Sequence, residues 1–199
     1  MKYMMMVMMA LVGVAVAYEE PDYKVVTQEG AFEVREYAPR LAAEVVMNDA
    51  KDWENSAFRV LADYIFGNNT AKVKMDMTTP VTMEQVPSEK IAMTTPVTMD
   101  KVGEGWRMRF YMPKKYTSAT LPMPNDARVK IVTVPAEKVA VVRFSWFFTD
   151  AKFADYSAQL LAWVGKQGLS AIGVPYRQYY NSPFALPWVR RNEVWVGVK

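Results

Sequence analysis

The chain has 199 residues, 51% hydrophobic and 23% charged, with a formal charge of +3. A balance this close to neutral does not provide the clustered basic surface that nucleic-acid binding uses, and with no Cys there can be no disulfide. The absence of His excludes Ser-His-Asp and Cys-His nucleophile systems, His-ligated zinc or haem, and an imidazole base, so an enzyme built on this chain would have to use carboxylates, Lys, Tyr or a bound metal.

Met1 to Ala17 reads as a secretory signal peptide. Lys2 precedes a run of Met, Val, Ala and Leu that ends in the small-x-small sequence Ala15-Val16-Ala17. Six of the fifteen Met residues lie here, so the remaining chain is less Met-rich than its composition suggests. No other stretch approaches the roughly 20 apolar residues of a membrane span. Cleavage after Ala17 is expected, leaving a single domain over 18–199 in an exported compartment: periplasmic in a bacterium, otherwise secreted or lumenal.

After a polar stretch from Tyr18 to Asp22, strands are expected over Tyr23 to Thr27, Phe32 to Tyr37 and Leu41 to Met47, the last two forming a hairpin with its corner near Pro39. Asn48 or Asp49 then caps a helix running to about Phe66, with Trp53, Ala57, Val60, Leu61, Tyr64 and Ile65 on one stripe, closed by Gly67. The heptapeptide Met-Thr-Thr-Pro-Val-Thr-Met occurs at 77–83 and again at 93–99. Its β-branched residues and central Pro read as an edge strand, or as a strand end bent at Thr-Pro. Glu84 to Lys90, with Pro87, Ser88 and three charges, suits a turn between the copies.

Alternation places Trp106, Met108, Phe110 and Met112 on one strand face, against Arg107, Arg109 and Tyr111 on the other. From Arg128 the plan recurs: Val129 to Val134, a corner at Pro135, a strand over Lys138 to Trp146, a helix from about Ala151 to Lys166 ended by Gly168, then strands over Ile172 to Tyr180 and Asn192 to Val198. Asp49-Ala50-Lys51 matches Asp150-Ala151-Lys152 at an offset of 101, and Pro39 matches Pro135 at 96. These identities point to internal duplication, with halves at about 23–112 and 128–199. Helices supplying one layer and antiparallel strands the other make an α+β fold.

Four ordered motifs then carry a family likeness: Lys90-Ile91-Ala92-Met93-Thr94-Thr95-Pro96-Val97, Arg109-Phe110-Tyr111-Met112-Pro113, Tyr180-Asn181-Ser182-Pro183-Phe184 and Arg190-Arg191-Asn192-Glu193-Val194. The chain resembles the SOUL haem-binding protein family over nearly all of its length after the leader. The resemblance implies a distorted antiparallel β-barrel of two pseudo-repeated halves with two flanking helices, similar to the gyrase-inhibitor-like effector-binding domains. It also implies a non-catalytic carrier, buffer or scavenger of haem or another tetrapyrrole.

A porphyrin needs an apolar slot, cations for its propionates and, when it carries iron, an axial donor. The resemblance points to a groove between the first helix, with Trp53, Phe58, Leu61 and Phe66, and the segment Tyr176 to Trp188, with Tyr179, Tyr180, Phe184, Leu186 and Trp188. Arg59, at the matching position of the family's helix, is the first candidate for a propionate, followed by Arg177, Arg190 and Arg191. Axial candidates are Tyr176, Tyr179, Tyr180, Lys72, Met75 and Met77, and none has the spacing of a known ligand motif. A macrocycle bound through its apolar face without iron ligation is the other option. Alternative readings are a binder of another flat hydrophobic molecule and an interaction protein without a ligand. An enzyme would call on Glu193, Glu44, Asp76 or Asp100, but isolated strand carboxylates are expected to be solvated.

Overall fold

In a computed structural model of the protein, the described residues are 18–48, 51–71, 88–182 and 184–199. The leader, Asp49, the first heptapeptide copy with Pro80, and Lys72, Met75, Asp76, Met77 and Pro183 lie outside them. The elements in order are β1 (Tyr23–Glu29), β2 (Phe32–Tyr37), β3 (Arg40–Met47), α1 (Trp53–Phe66), β4 (Asn69–Thr70), β5 (Val97–Val102), β6 (Gly105–Tyr111), β7 (Met123–Pro124), β8 (Lys130–Val134), β9 (Glu137–Phe144), α2 (Asp150–Lys166), β10 (Ala171–Tyr179), a 3-10 turn (Pro187–Val189) and β11 (Asn192–Val198).

Nine strands form one antiparallel sheet in the order β1-β2-β9-β11-β10-β5-β6-β3-β8. If β2, β3, α1, β5 and β6 are set against β8, β9, α2, β10 and β11, the order from β2 to β8 is a palindrome. It is centred on the β10–β5 pair, where the two pseudo-equivalent halves meet. The sheet curls into a half-barrel, leaving β1 and β8 as its edges.

The expected hairpin at Pro39 does not form. β2 pairs with β9 and β3 pairs with β8, Tyr37 opposite Glu137 and Arg40 opposite Val134. One unbroken register runs through both ladders, and in it Pro39 stands opposite Pro135. Neither proline has an N–H to donate, so the ladder breaks there and the sheet bends. The hairpin sits one strand earlier, between β1 and β2, where Gly30 takes φ +58°.

The stripe on α1 is as the 3.6-residue period predicts: Trp53, Ala57, Val60, Leu61, Tyr64 and Ile65 are its buried residues. They pack over Val45, Met108 and Phe110. The helix begins later than Asn48, with Asp52 at its N-cap, and ends at Gly67, whose φ of +129° and N–H to the Asp63 carbonyl turn the chain away. α2 buries Leu160, Trp163 and Val164 against Val142, Val194 and Val196, and its N-cap Thr149 accepts from the Lys152 N–H.

The second heptapeptide copy is not an edge strand. Its C-terminal part opens β5, which lies between β10 and β6 with partners on both sides. Pro96 precedes the strand, where its missing N–H costs no ladder bond.

Glu193 also departs from expectation. It is 0% exposed, because β11 is covered by α2 on one face and by the curl of the sheet on the other. Its carboxylate accepts from Arg35 Nη1 and Nη2 (2.9 and 3.1 Å), Arg191 Nε (2.8 Å), the Tyr180 hydroxyl (2.7 Å) and Trp195 Nε1 (2.7 Å). Glu44 and Asp100 are half-buried and held by Arg109 and Arg107. These three carboxylates are engaged with guanidinium groups.

Candidate functional site

α1 covers β3 and β6, while α2 covers β9, β11 and part of β10. The centre of the sheet, where β5 meets β10, therefore has no helix above it. A cavity of about 700 Å³ opens there, within the size range of small-molecule sites. Val97 and Met99 from β5 and Tyr179 from β10 form its floor. Glu54, Asn55 and Phe58 of α1 form one wall, and Phe147, Phe148 and Thr149, leading into α2, form the other.

The ladder registers give the cavity a direction. Met99 lies opposite Arg177 and Val97 opposite Tyr179, so Asn181 and Ser182 fall at the Thr95 end. That end is polar, with Arg190, Asn192, Tyr18 and Met93 also lining it. The Arg190 guanidinium lies 4.9 Å from the Phe147 ring centre, and its Nε donates to the Ala185 carbonyl at 2.8 Å. The middle is aromatic. Phe58 meets Phe110 edge-on at 5.4 Å, and Phe148 lies 5.1 Å from Tyr179.

Of the residues expected from the sequence, Phe58, Tyr179, Tyr180 and Arg190 line the cavity. Trp53 does not: it stacks on Trp106 at 5.1 Å beneath α1, in the core. The Arg59 side chain is 76% exposed, 3.8 Å from Asp52, with Nε donating to the Asn55 carbonyl. Phe66 is 61% exposed at the end of α1. Phe184 (94% exposed) and Trp188 (61%) stand on the surface outside the lining. Arg177 binds Asp150 at 2.5 Å, and Arg191 is shared between Glu193 and Glu20.

The sequence reading missed the second heptapeptide copy as a wall of the site. Met93, Thr95, Val97 and Met99 all line it, and their spacing of two was the available signal. Phe147 and Phe148 carried no such pattern, since they sit in an irregular segment between β9 and α2.

Tyr179 and Tyr180 are poor sources of phenolate. Burial pushes the Tyr180 hydroxyl well above its ordinary value, with the Glu193 charge adding to the effect. Burial also raises Tyr179, partly offset by Arg177. Tyr176 lies on the opposite sheet face, packed with Tyr37 and Trp195. Among the described residues no cluster of three His, Cys, Asp or Glu side chains could hold a metal ion, and no helix is long and apolar enough to cross a membrane.

The sequence profile of the SOUL heme-binding proteins matches residues 18–197. The chain belongs to the SOUL family. It is 26% identical to heme-binding protein 1 of Xenopus laevis over 167 residues, covering 83% of this chain and 82% of that protein. It is 27% identical to heme-binding protein 2 of Mus musculus over 188 residues, covering 90% and 86%. Among solved structures, the C-terminal domain of EcmrR superposes with a TM-score of 0.55 at 12% identity, covering 89% of this chain and 98% of that one. A hydrolase from Listeria innocua superposes at 0.53 and 12%, covering 87% and 94%. At these identities the structural likeness speaks for the fold alone, two helices on a curled antiparallel sheet.

Proposed function

We propose that this SOUL protein binds haem or a related tetrapyrrole in the cavity over β5 and β10, as a non-catalytic carrier, buffer or scavenger in an exported compartment. The supporting observation is the cavity itself, which lies in the seam between the helices, is floored by Val97, Met99 and Tyr179 and is polar at one end. The aromatic middle, with Phe58, Phe147 and Phe148, suits the macrocycle. Asn181, Ser182 and Arg190 would hold the carboxylates. A bound porphyrin iron would supply redox and ligand-exchange chemistry; the protein's part is to exclude water and orient the ring.

Titration of residues 18–199 with haemin and, separately, with iron-free protoporphyrin tests this. Saturable binding with quenching of Trp fluorescence is expected for both. Absence of binding for both refutes the tetrapyrrole reading and favours another flat hydrophobic ligand or an interaction role. The exported location rests on the Met1 to Ala17 pattern, and intact mass of protein from the native host should begin at Tyr18. Retention of the leader on exported protein would refute cleavage.

A further inference from the structure

We propose that Met99 is the axial donor to iron when the cavity holds an iron porphyrin, a thioether site at the end of the second heptapeptide copy. The inference rests on the tetrapyrrole reading and extends it. With no His or Cys in the chain, the donors facing the cavity among the described residues are the phenols of Tyr18, Tyr179 and Tyr180, the Glu54 carboxylate and the thioethers of Met93 and Met99. Each of the others is handicapped.

Tyr180 spends its proton on Glu193 at 2.7 Å, so ionising it would set two negative charges in contact away from water. Tyr179 is also buried against ionisation. Glu54, on the exposed side of the first turn of α1, keeps its hydration at the rim. Tyr18 and Met93 lie at the polar end, with Asn181, Ser182 and Arg190. A thioether has no proton to lose, so burial leaves its lone pair available at any pH.

Charge then sets which thioether meets the iron. Arg190 at one end attracts the ligand's carboxylates, and Glu54, in the α1 wall and within electrostatic reach of Tyr179, disfavours them there. With the carboxylate edge beside Arg190, the body of the ring extends over Val97 and Met99, and Met93 meets only its periphery. Met93 lies before β5, at the polar end, whereas Met99 lies within the strand. Met99 is held in β5 between its ladder partners Arg177 and Met108, which fixes the direction of its side chain. Thioether ligation raises the reduction potential of haem, so the site should hold ferrous haem more tightly than ferric.

The test compares residues 18–199 with Met99→Leu and Met93→Leu, each titrated with haemin, dithionite-reduced haem and iron-free protoporphyrin. Leu keeps the apolar volume and removes the sulfur. Met99→Leu should weaken ferrous haem at least tenfold, lower the haem reduction potential and change the ligand-field spectrum. Protoporphyrin affinity and the urea midpoint should change far less than ferrous-haem affinity, and the ferrous-haem loss in Met93→Leu should be smaller than in Met99→Leu. Unchanged haem spectra and affinity in Met99→Leu, or a loss confined to Met93→Leu, overturn the assignment while protoporphyrin binding still stands. Failure of the parent protein to bind protoporphyrin or haem refutes the tetrapyrrole reading and the assignment with it.

Discussion

Glu193→Gln is expected to be among the most damaging isosteric changes in this protein. The glutamate is 0% exposed and Arg35 is 1% exposed, so removing the carboxylate charge leaves a guanidinium buried beside a neutral amide. Breaking such a pair costs about 3–5 kcal/mol. Arg191 adds little, because it keeps Glu20 at 3.0 Å and is partly solvated. With an m value of about 2 kcal/mol per molar urea, the midpoint should fall by about 2 M. Glu44→Gln is the control, since its bond to Arg109 is just as direct but both groups are partly exposed; its shift should be less than half as large.

pH gives a second readout of the same carboxylate. Burial opposes its charge, but Arg35, Arg191 and the Tyr180 hydroxyl bring the Glu193 carboxyl below its ordinary value. Its contribution is therefore complete above the unfolded value of about 4.3 and is lost as pH falls through the lower folded value. The parent protein should lose stability more steeply than Glu193→Gln below about pH 4.3. A Glu193→Gln urea midpoint within about 0.5 M of the parent, or identical acid profiles, would refute the assignment of Glu193 as the charge that holds Arg35 in the sheet.

Arg190→Ser should weaken porphyrin binding at least tenfold, about 1.4 kcal/mol, as read by absorption titration, whereas Arg59→Ser should leave it unchanged because that side chain lies outside the cavity. The opposite ranking would move the carboxylate site to the outer face of α1. Trp53→Ala should cost about 3–5 kcal/mol of stability in urea denaturation, since the ring is core packing on Trp106. A stable variant with lost porphyrin affinity would return Trp53 to the binding surface.

The features legible from sequence are those set by neighbours along the chain. The α1 stripe, the alternation in β6 and β11, and the Gly67 stop follow from periods of 3.6 and 2 and from one glycine's freedom. The matched corners at Pro39 and Pro135 were visible for the same reason and stand opposite each other in the sheet, whereas the helix starts do not keep the offset of 101, since α1 begins at Trp53 and α2 at Asp150. Pairing was not legible. Pro39 marks a bend in either a hairpin or a ribbon shared with Pro135, and only the strand partners distinguish the two.

The site divides along the same line. Membership of a heme-binding family was readable from four motifs, but the wall of the cavity was not, because a strand's two faces look alike until one is known to lie under a gap between helices. Thus Met93 to Met99 passed for plain sheet, while Trp53 and Arg59 were favoured for being on the right helix. Glu193 shows the limit most sharply. Its partner Arg35 is 158 residues away, and no local pattern separates a solvated carboxylate from one held by a distant guanidinium. The sequence by itself determined the elements, their duplication and the family. Only tertiary structure decided which strands pair, which face is covered and where the uncovered seam lies, because burial depends on contacts between segments far apart along the chain.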